Sequence, residues 1–183
     1  MVTRLAIWVK CEGMLSMGIA IKMRMNRMEL YAQRGIMNKK IVIGYTTGVY
    51  DMFHIGHLNV IRNAKAQCDY LIVGVSTDEL VQKEKHKTPV IPFEERRQIV
   101  AALKYVDEVV PQGDKDKMGA WKKYHFDKMF VGSDWQGTAV WNKYEEEFAQ
   151  VGVEIVYLPH TDGISSTQLT KYIKEELNAV SLV

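Results

Sequence analysis

Long apolar runs are missing from this sequence. Nowhere do 18 apolar residues follow one another, so no segment reads as a membrane-spanning helix. Cysteine is nearly absent: Cys11 and Cys68 are the two in 183 residues, and they stand in no CxxC or Cys/His spacing. Neither a structural zinc site nor a disulfide framework is expected, and the chain reads as cytoplasmic. Net charge is also small, +2 from 24 Lys/Arg against 22 Asp/Glu, which by itself does not point to nucleic acid. No Ser/His/Asp or Cys/His arrangement for nucleophilic catalysis stands out. What is present is ordinary globular composition, 47% hydrophobic and 25% charged, which excludes a wholly disordered chain. The length fits one domain with an appendage.

The charge is unevenly placed. Residues 1–40 carry eight Lys/Arg and two Asp/Glu, a balance of +6, leaving −4 for the remainder. Residues 1–37 also hold seven of the ten methionines, and three readings compete for them. A basic amphipathic helix could lie on an anionic surface. A targeting peptide would need an apolar centre, which Lys10, Glu12 and two glycines interrupt. We favour the third, that 1–37 is a basic, Met-rich extension outside the fold, with residues 38–183 forming the working domain. Salt-dependent binding to membranes or DNA through this segment is the weakest reading, so no nucleic acid and no stable membrane association are expected.

From residue 41 onward, short β-rich runs alternate with longer amphipathic stretches. Strands are expected at 41–45, 70–75, 106–110, 128–131 and 153–158, with Pro111 stopping the third. Helices are expected over 55–68, 94–105, a stretch closing at 121–125, 140–151 and 165–177, the last capped by Ser165 or Ser166. Five strand–helix alternations predict an α/β fold, a Rossmann-like doubly wound sheet of five parallel strands in a single domain. Ligands bind such sheets beyond the carboxyl ends of the strands.

The unusual residues fall there. After the first strand comes Thr47-Gly-Val-Tyr-Asp-Met-Phe-His-Ile-Gly-His57, entering a helix near Ile55. A helix start presents free N–H groups and partial positive charge to an anion. Gly56 allows close backbone approach, and His54 and His57, three apart, suit phosphate oxygens. Capping or core histidines, or an i, i+3 metal pair, are the plainer alternatives; the strand–turn–helix context weighs against them.

Gly48-Val-Tyr-Asp-Met-Phe-His-Ile-Gly-His57 resembles the GxFDxxHxGH motif of the cytidylyltransferases, within the HxGH nucleotidyltransferase superfamily. Phe93-Glu-Glu-Arg96 and Tyr105-Val-Asp-Glu-Val-Val110 are similar to two further family segments. Gly132-Ser-Asp-Trp-Gln-Gly137 resembles the family's GxDW loop, and Thr161-Asp-Gly-Ile-Ser-Ser-Thr167 its TEGIST segment. The likeness spans residues 40–177 and is nearest to the bacterial glycerol-3-phosphate cytidylyltransferases. It implies CMP transfer from CTP to a phosphomonoester, with Mg2+ carried by the CTP phosphates, no protein-held metal and a homodimer. By the same resemblance the catalytic residues are His54, His57, Lys87 and Arg96. Nucleotide-binding positions are Gly48, Val49, Tyr50, Asp51, Gly56, Asp134, Trp135, His160, Thr161, Gly163, Ile164, Ser165, Ser166 and Thr167. Lys85, Lys87 and Arg96 would hold substrate, the lysines on a mobile loop.

For several of these a plainer role stays open: a solvated basic loop for the lysines, a surface helix arginine for Arg96, a buried structural indole for Trp135, simple capping for the serines. Two positions depart from the family pattern. His160 stands where the family has arginine, giving up a planar, permanently charged fork. Val49 replaces a usual threonine. Lys85-His-Lys-Thr-Pro-Val90 is similar to the corresponding segment of ethanolamine-phosphate cytidylyltransferases, so phosphoethanolamine, phosphocholine or another phosphorylated polyol is an alternative acceptor. ATP as nucleotide and a non-catalytic nucleotide-binding protein are the remaining alternatives.

Overall fold

A computed structural model describes residues 41–180, so the proposed extension at 1–37 lies outside the described residues. The elements run β1 (Ile43–Gly48), α1 (Ile55–Lys65), β2 (Tyr70–Ser76), α2 (Asp78–Lys85), α3 (Phe93–Ala101), β3 (Glu108–Gln112), α4 (Lys117–Tyr124), β4 (Lys128–Gly132), a 3-10 turn at Ser133–Trp135, α5 (Ala139–Gln150), β5 (Glu154–Leu158) and α6 (Ser166–Val180). The five strands pair in parallel in the order β3-β2-β1-β4-β5, the Rossmann-like arrangement the alternation predicted. The order reverses between β1 and β4, and the crevice above their carboxyl ends is the natural binding place.

Both faces of the sheet are buried, which is why its strands read as continuous apolar runs. On one face Leu71, Val73 and Val75 of β2 and Phe130 of β4 pack with Ile61 and Ala64 of α1 and Val100 of α3. On the other, Tyr45 stacks on Phe126 and Tyr124, and Phe126 meets Phe148 of α5 edge-on. Aspartates at the strand starts tie neighbouring strands together. Asp69 accepts from Val42 N, Asp107 from Leu71 N and Asp127 from Ile43 N, at 2.8–3.0 Å. Asp107, the acid of the Tyr105–Val110 segment, also pairs with Lys65. That segment is therefore scaffold.

Three expectations are corrected. Pro111 lies inside β3, opposite Val75, instead of ending it. β3 is an edge strand, and an edge tolerates a proline whose missing N–H would point away from the ladder. The helix over 94–105 ends at Ala101; Leu103 N and Val106 N close successive turns on Val100 and Leu103 carbonyls, and Leu103, Tyr105 and Val106 pack against the core. Residues 83–85 are not loop but the end of α2, an element the sequence reading missed. Thr77 caps α2 by accepting from Leu80 N, Leu80 and Val81 are buried, and His86 ends it with a left-handed φ of 50°.

Candidate active site

β1 delivers the chain to the sheet's carboxyl edge and the next six residues turn sharply into α1. Tyr50 and Met52 both take left-handed φ, 56° and 47°, a strained pair that the surrounding contacts hold in place. Tyr50 is buried under the turn, and Gly48 lets it lie there: a Cβ at Gly48 would meet the Tyr50 ring at 2.9 Å. His54 caps α1 from extended backbone, its Nδ1 accepting from Gly56 N at 3.1 Å. A side chain on Gly56 would strike that imidazole at 2.9 Å. With Nδ1 committed as acceptor, the proton of neutral His54 sits on Nε2.

His57, one turn into the helix, stacks on His54 with ring centroids 3.9 Å apart and meets Tyr50 and Phe53. Its Nδ1 is buried without a hydrogen-bond partner among the described residues. Burial first, then the His54 charge, pushes the His57 pKa down to about 4. Burial and His160 lower His54 as well. At neutral pH the unliganded pair is therefore two uncharged imidazoles, hydrogen-bond donors in place of cations. Positive charge comes from Lys85 and Lys87, and burial with the Lys87 charge lowers the Lys85 pKa.

These groups line a cavity of about 430 Å³ above β1 and β4. Of the expected residues, Val49, Asp51, His54, Gly56, His57, Lys85, Lys87, Asp134, Trp135, His160, Thr161, Ile164, Ser165, Ser166 and Thr167 line it. Val60, Val81, Pro89, Gly132 and Pro159 also line it; Gly132 and Pro89 lie in segments the resemblance covers, and the other three carried no signal beyond their hydrophobicity. Trp135 is 50% exposed, so the buried structural indole does not hold and a flat ring faces the solvent. Ser165 caps α6 by accepting from Gln168 N, while Ser166 Oγ donates to the Asp51 carbonyl, so capping and cleft lining coexist. Thr161 accepts from Asn59 of α1, a residue the sequence reading passed over.

Asp51 organises the cleft from below. Its two carboxylate oxygens accept from Val90 N and Ile91 N at 2.9 Å, fixing the segment that follows Lys87. Gly48, Tyr50 and Gly163 do not line the cavity; Gly163 is exposed and supplies a φ of 80°.

Arg96 is not brought to the cleft, which corrects its expected grip on phosphate or substrate. It is fully buried. Nε donates to Ile91 O at 2.8 Å, Nη1 to the carbonyls of Val49 and Ser76, and Nη2 to Asp78 Oδ1 at 2.6 Å. With its fork taken up by three chain segments, it holds the cleft walls together and has little left for a ligand. Its neighbour Arg97 is the exposed arginine of the plainer reading, paired with Glu94.

Neutral imidazole donors at a helix start, two lysines facing them and an exposed indole at the rim, all over the reversal point of a doubly wound sheet, define a nucleotide-phosphate-binding α/β protein. The chain belongs to the cytidylyltransferase-like family, whose model matches residues 45–172. It is 37% identical over 137 residues to a glycerol-3-phosphate cytidylyltransferase of Bacillus spizizenii, covering 73% of this chain and 95% of that one. To an ethanolamine-phosphate cytidylyltransferase of Mus musculus it is 39% identical over 137 residues, covering 74% of this chain and 33% of that one. Among solved structures, a lipopolysaccharide core biosynthesis protein of Thermoplasma volcanium superposes with a TM-score of 0.56 at 22% identity, over 68% of this chain and 99% of that one, a likeness of fold.

Proposed function

We propose that the protein transfers CMP from CTP to a phosphomonoester, with glycerol-3-phosphate the favoured acceptor, giving CDP-glycerol and pyrophosphate. The observation that carries this reading is the stacked, uncharged His54–His57 pair facing Lys85 and Lys87 across one cavity. A bacterial relative matched over nearly its whole length bears the glycerol-3-phosphate name.

One phosphate oxygen of the acceptor attacks the α-phosphorus of CTP in line. The bond to the bridging oxygen of the β-phosphate breaks and pyrophosphate leaves with that electron pair. A phosphomonoester has its second pKa near 6, so the nucleophile is already ionised at neutral pH and no general base is required. The work left is positioning and charge stabilisation. His54 donates from Nε2, and His57 lies against it in the ring stack. Lys85 and Lys87 take the charge of the leaving phosphates, and Trp135 offers its ring to the base. Asp51 and Arg96 hold the segments that carry them.

Mg2+ would enter on the triphosphate and neutralise part of its charge. Asp51 spends both oxygens on backbone N–H groups, so in this reading the ion would be held by the triphosphate. The protein is further proposed to be a cytoplasmic homodimer with residues 1–37 outside the working domain. No helix among the described residues is long and apolar enough to cross a membrane. Phosphoethanolamine is the second acceptor reading, favoured by the mouse relative.

The test is pyrophosphate release from CTP and Mg2+ with glycerol-3-phosphate, phosphoethanolamine, phosphocholine or no acceptor. Acceptor-dependent release with glycerol-3-phosphate is expected. CTP binding without release in any mixture would overturn the activity.

A further inference from the structure

Three imidazoles line the cleft, and the mechanism above uses two of them. His160 is the third. It stands two residues beyond the end of β5, between Pro159 and Thr161, and is exposed. Among the described residues no hydrogen bond or ion pair engages its ring. The backbone that carries the ring is nevertheless held. Thr161 lies against the first turn of α1, where its Cβ would stand 3.7 Å from a Cβ built on Gly56. Its Oγ1 accepts from Asn59 Nδ2 at 3.0 Å, and Arg62 orients the Asn59 amide by donating to Oδ1 at 3.0 Å. An open imidazole is thus fastened, through its neighbour, to the helix start that bears His54 and His57.

The arrangement has an electrostatic consequence. Burial lowers the His54 pKa, and a charge on His160 lowers it further. His54 also has Nδ1 occupied by Gly56 N, so its useful form is the neutral Nε2 donor. Of this pair, the exposed ring is the one free to charge. The other charged groups around it are Lys85 and Lys87 beyond α2, Asp51 in the turn before α1, Asp134 in the turn after β4, and Asp162 in its own segment. Asp51 is committed to Val90 N and Ile91 N, and burial holds His57 neutral. A bound triphosphate sets several negative charges among these groups at once and favours an imidazolium over a neutral ring. Histidine is the side chain whose charge ordinarily changes between pH 5 and 8.

We propose that His160 is a proton-dependent phosphate contact, gripping the nucleotide's phosphates as an imidazolium and letting affinity for CTP fall as the ring loses its proton. The inference rests on the proposed activity and adds a dependence on pH to its nucleotide site. A charged N–H donor makes a shorter hydrogen bond to a phosphate oxygen, roughly twice as strong as a neutral donor makes. An arginine in this place would grip equally at every physiological pH. The histidine ties nucleotide loading to the proton concentration.

The test is calorimetric titration with CTP and Mg2+ between pH 6 and 8, on wild type, His160→Gln and His160→Arg, in two buffers of different ionisation enthalpy. Over that range the wild-type Kd should rise about tenfold more than that of His160→Gln. The glutamine variant keeps every other titrating group, so the ionisation of CTP itself cancels in the comparison. Near pH 7 the wild type should take up more protons on binding than His160→Gln, read from the buffer dependence of the heat. His160→Arg should follow the shallow profile of His160→Gln, at the tighter affinity that wild type reaches at pH 6. Equal profiles in wild type and His160→Gln, or equal proton uptake, overturn the inference. Pyrophosphate release with glycerol-3-phosphate at pH 7, measured on the same samples, keeps the two claims apart. Release with equal profiles overturns the inference and spares the activity; the expected profiles without release keep the contact and remove the activity; no CTP binding at any pH overturns both.

Discussion

Two segments of this chain look equally motif-like in the sequence, and the structure gives them opposite roles. His54–His57 stands in the cavity wall, with a buried unpaired nitrogen and a pKa of about 4. Arg96 and Asp107 stand inside the scaffold with their polar atoms committed to backbone and to the side chains of Asp78 and Lys65 respectively. The difference lies in satisfaction. A polar group whose hydrogen-bonding capacity is spent internally stabilises a fold, whereas one that is buried and left open waits for a ligand.

The comparison is tested most severely by removing one member from each side. His57→Ala should reduce turnover by three or more powers of ten, on the order of 4 kcal/mol in the barrier, with the melting temperature held within a few degrees. Near-normal turnover in that variant would put His57 among the scaffold residues. Arg96→Met should do the reverse to stability. Stripping a buried ion pair of one partner costs about 3 kcal/mol, the low end of the usual range because Asp78 is 38% exposed and can rehydrate. For a domain of this size that is a fall of roughly 10 °C in Tm. If Arg96→Met melts like wild type but loses affinity for CTP, the phosphate-gripping role returns.

How much of this was legible beforehand follows the same division. Strand runs with both faces buried are visible as apolar stretches, so all five strands and their parallel direction could be anticipated, whereas their order across the sheet could not. Helix α2 was missed because its eight residues are mostly charged and only Leu80 and Val81 pack inward. Pro111 misled because edge position, a property of the whole sheet, decides whether proline is tolerated. Most cleft residues could be named from the strand–turn–helix pattern and the family resemblance. That Arg96 is withdrawn from the cleft could not, since four carbonyl and carboxylate partners from separate segments converge only in three dimensions.

A smaller effect sharpens the electrostatic side. Folded His57 takes a proton only at about 4, while an unfolded histidine does so near 6.5. Between those values the unfolded chain holds more protons, so acid favours unfolding. The contribution is fully present above pH 6.5 and is lost as pH falls through 4, on the order of 2 kcal/mol. Thermal melts of the unliganded protein from pH 7 to 4.5, beside His57→Gln, isolate it: the wild type should lose more stability than the variant over that range. Parallel curves would mean that His57 is not held neutral.

The smallest expected effect separates rim from core within the cleft itself. Trp135 follows β4 in a short 3-10 turn, lines the cavity and leaves half its surface in water. An indole so placed adds little to packing, and its flat face is the part a base can use; base–aromatic stacking contributes about 1–3 kcal/mol. Trp135→Ala should therefore weaken CTP binding by about tenfold and change Tm by no more than a degree or two, with Trp135→Phe recovering much of the loss. Calorimetric titration with CTP and a melt on the same samples read both. A large fall in Tm would make Trp135 a packing residue after all, and the line between open and satisfied groups would have to be redrawn on the β4 side of the cleft.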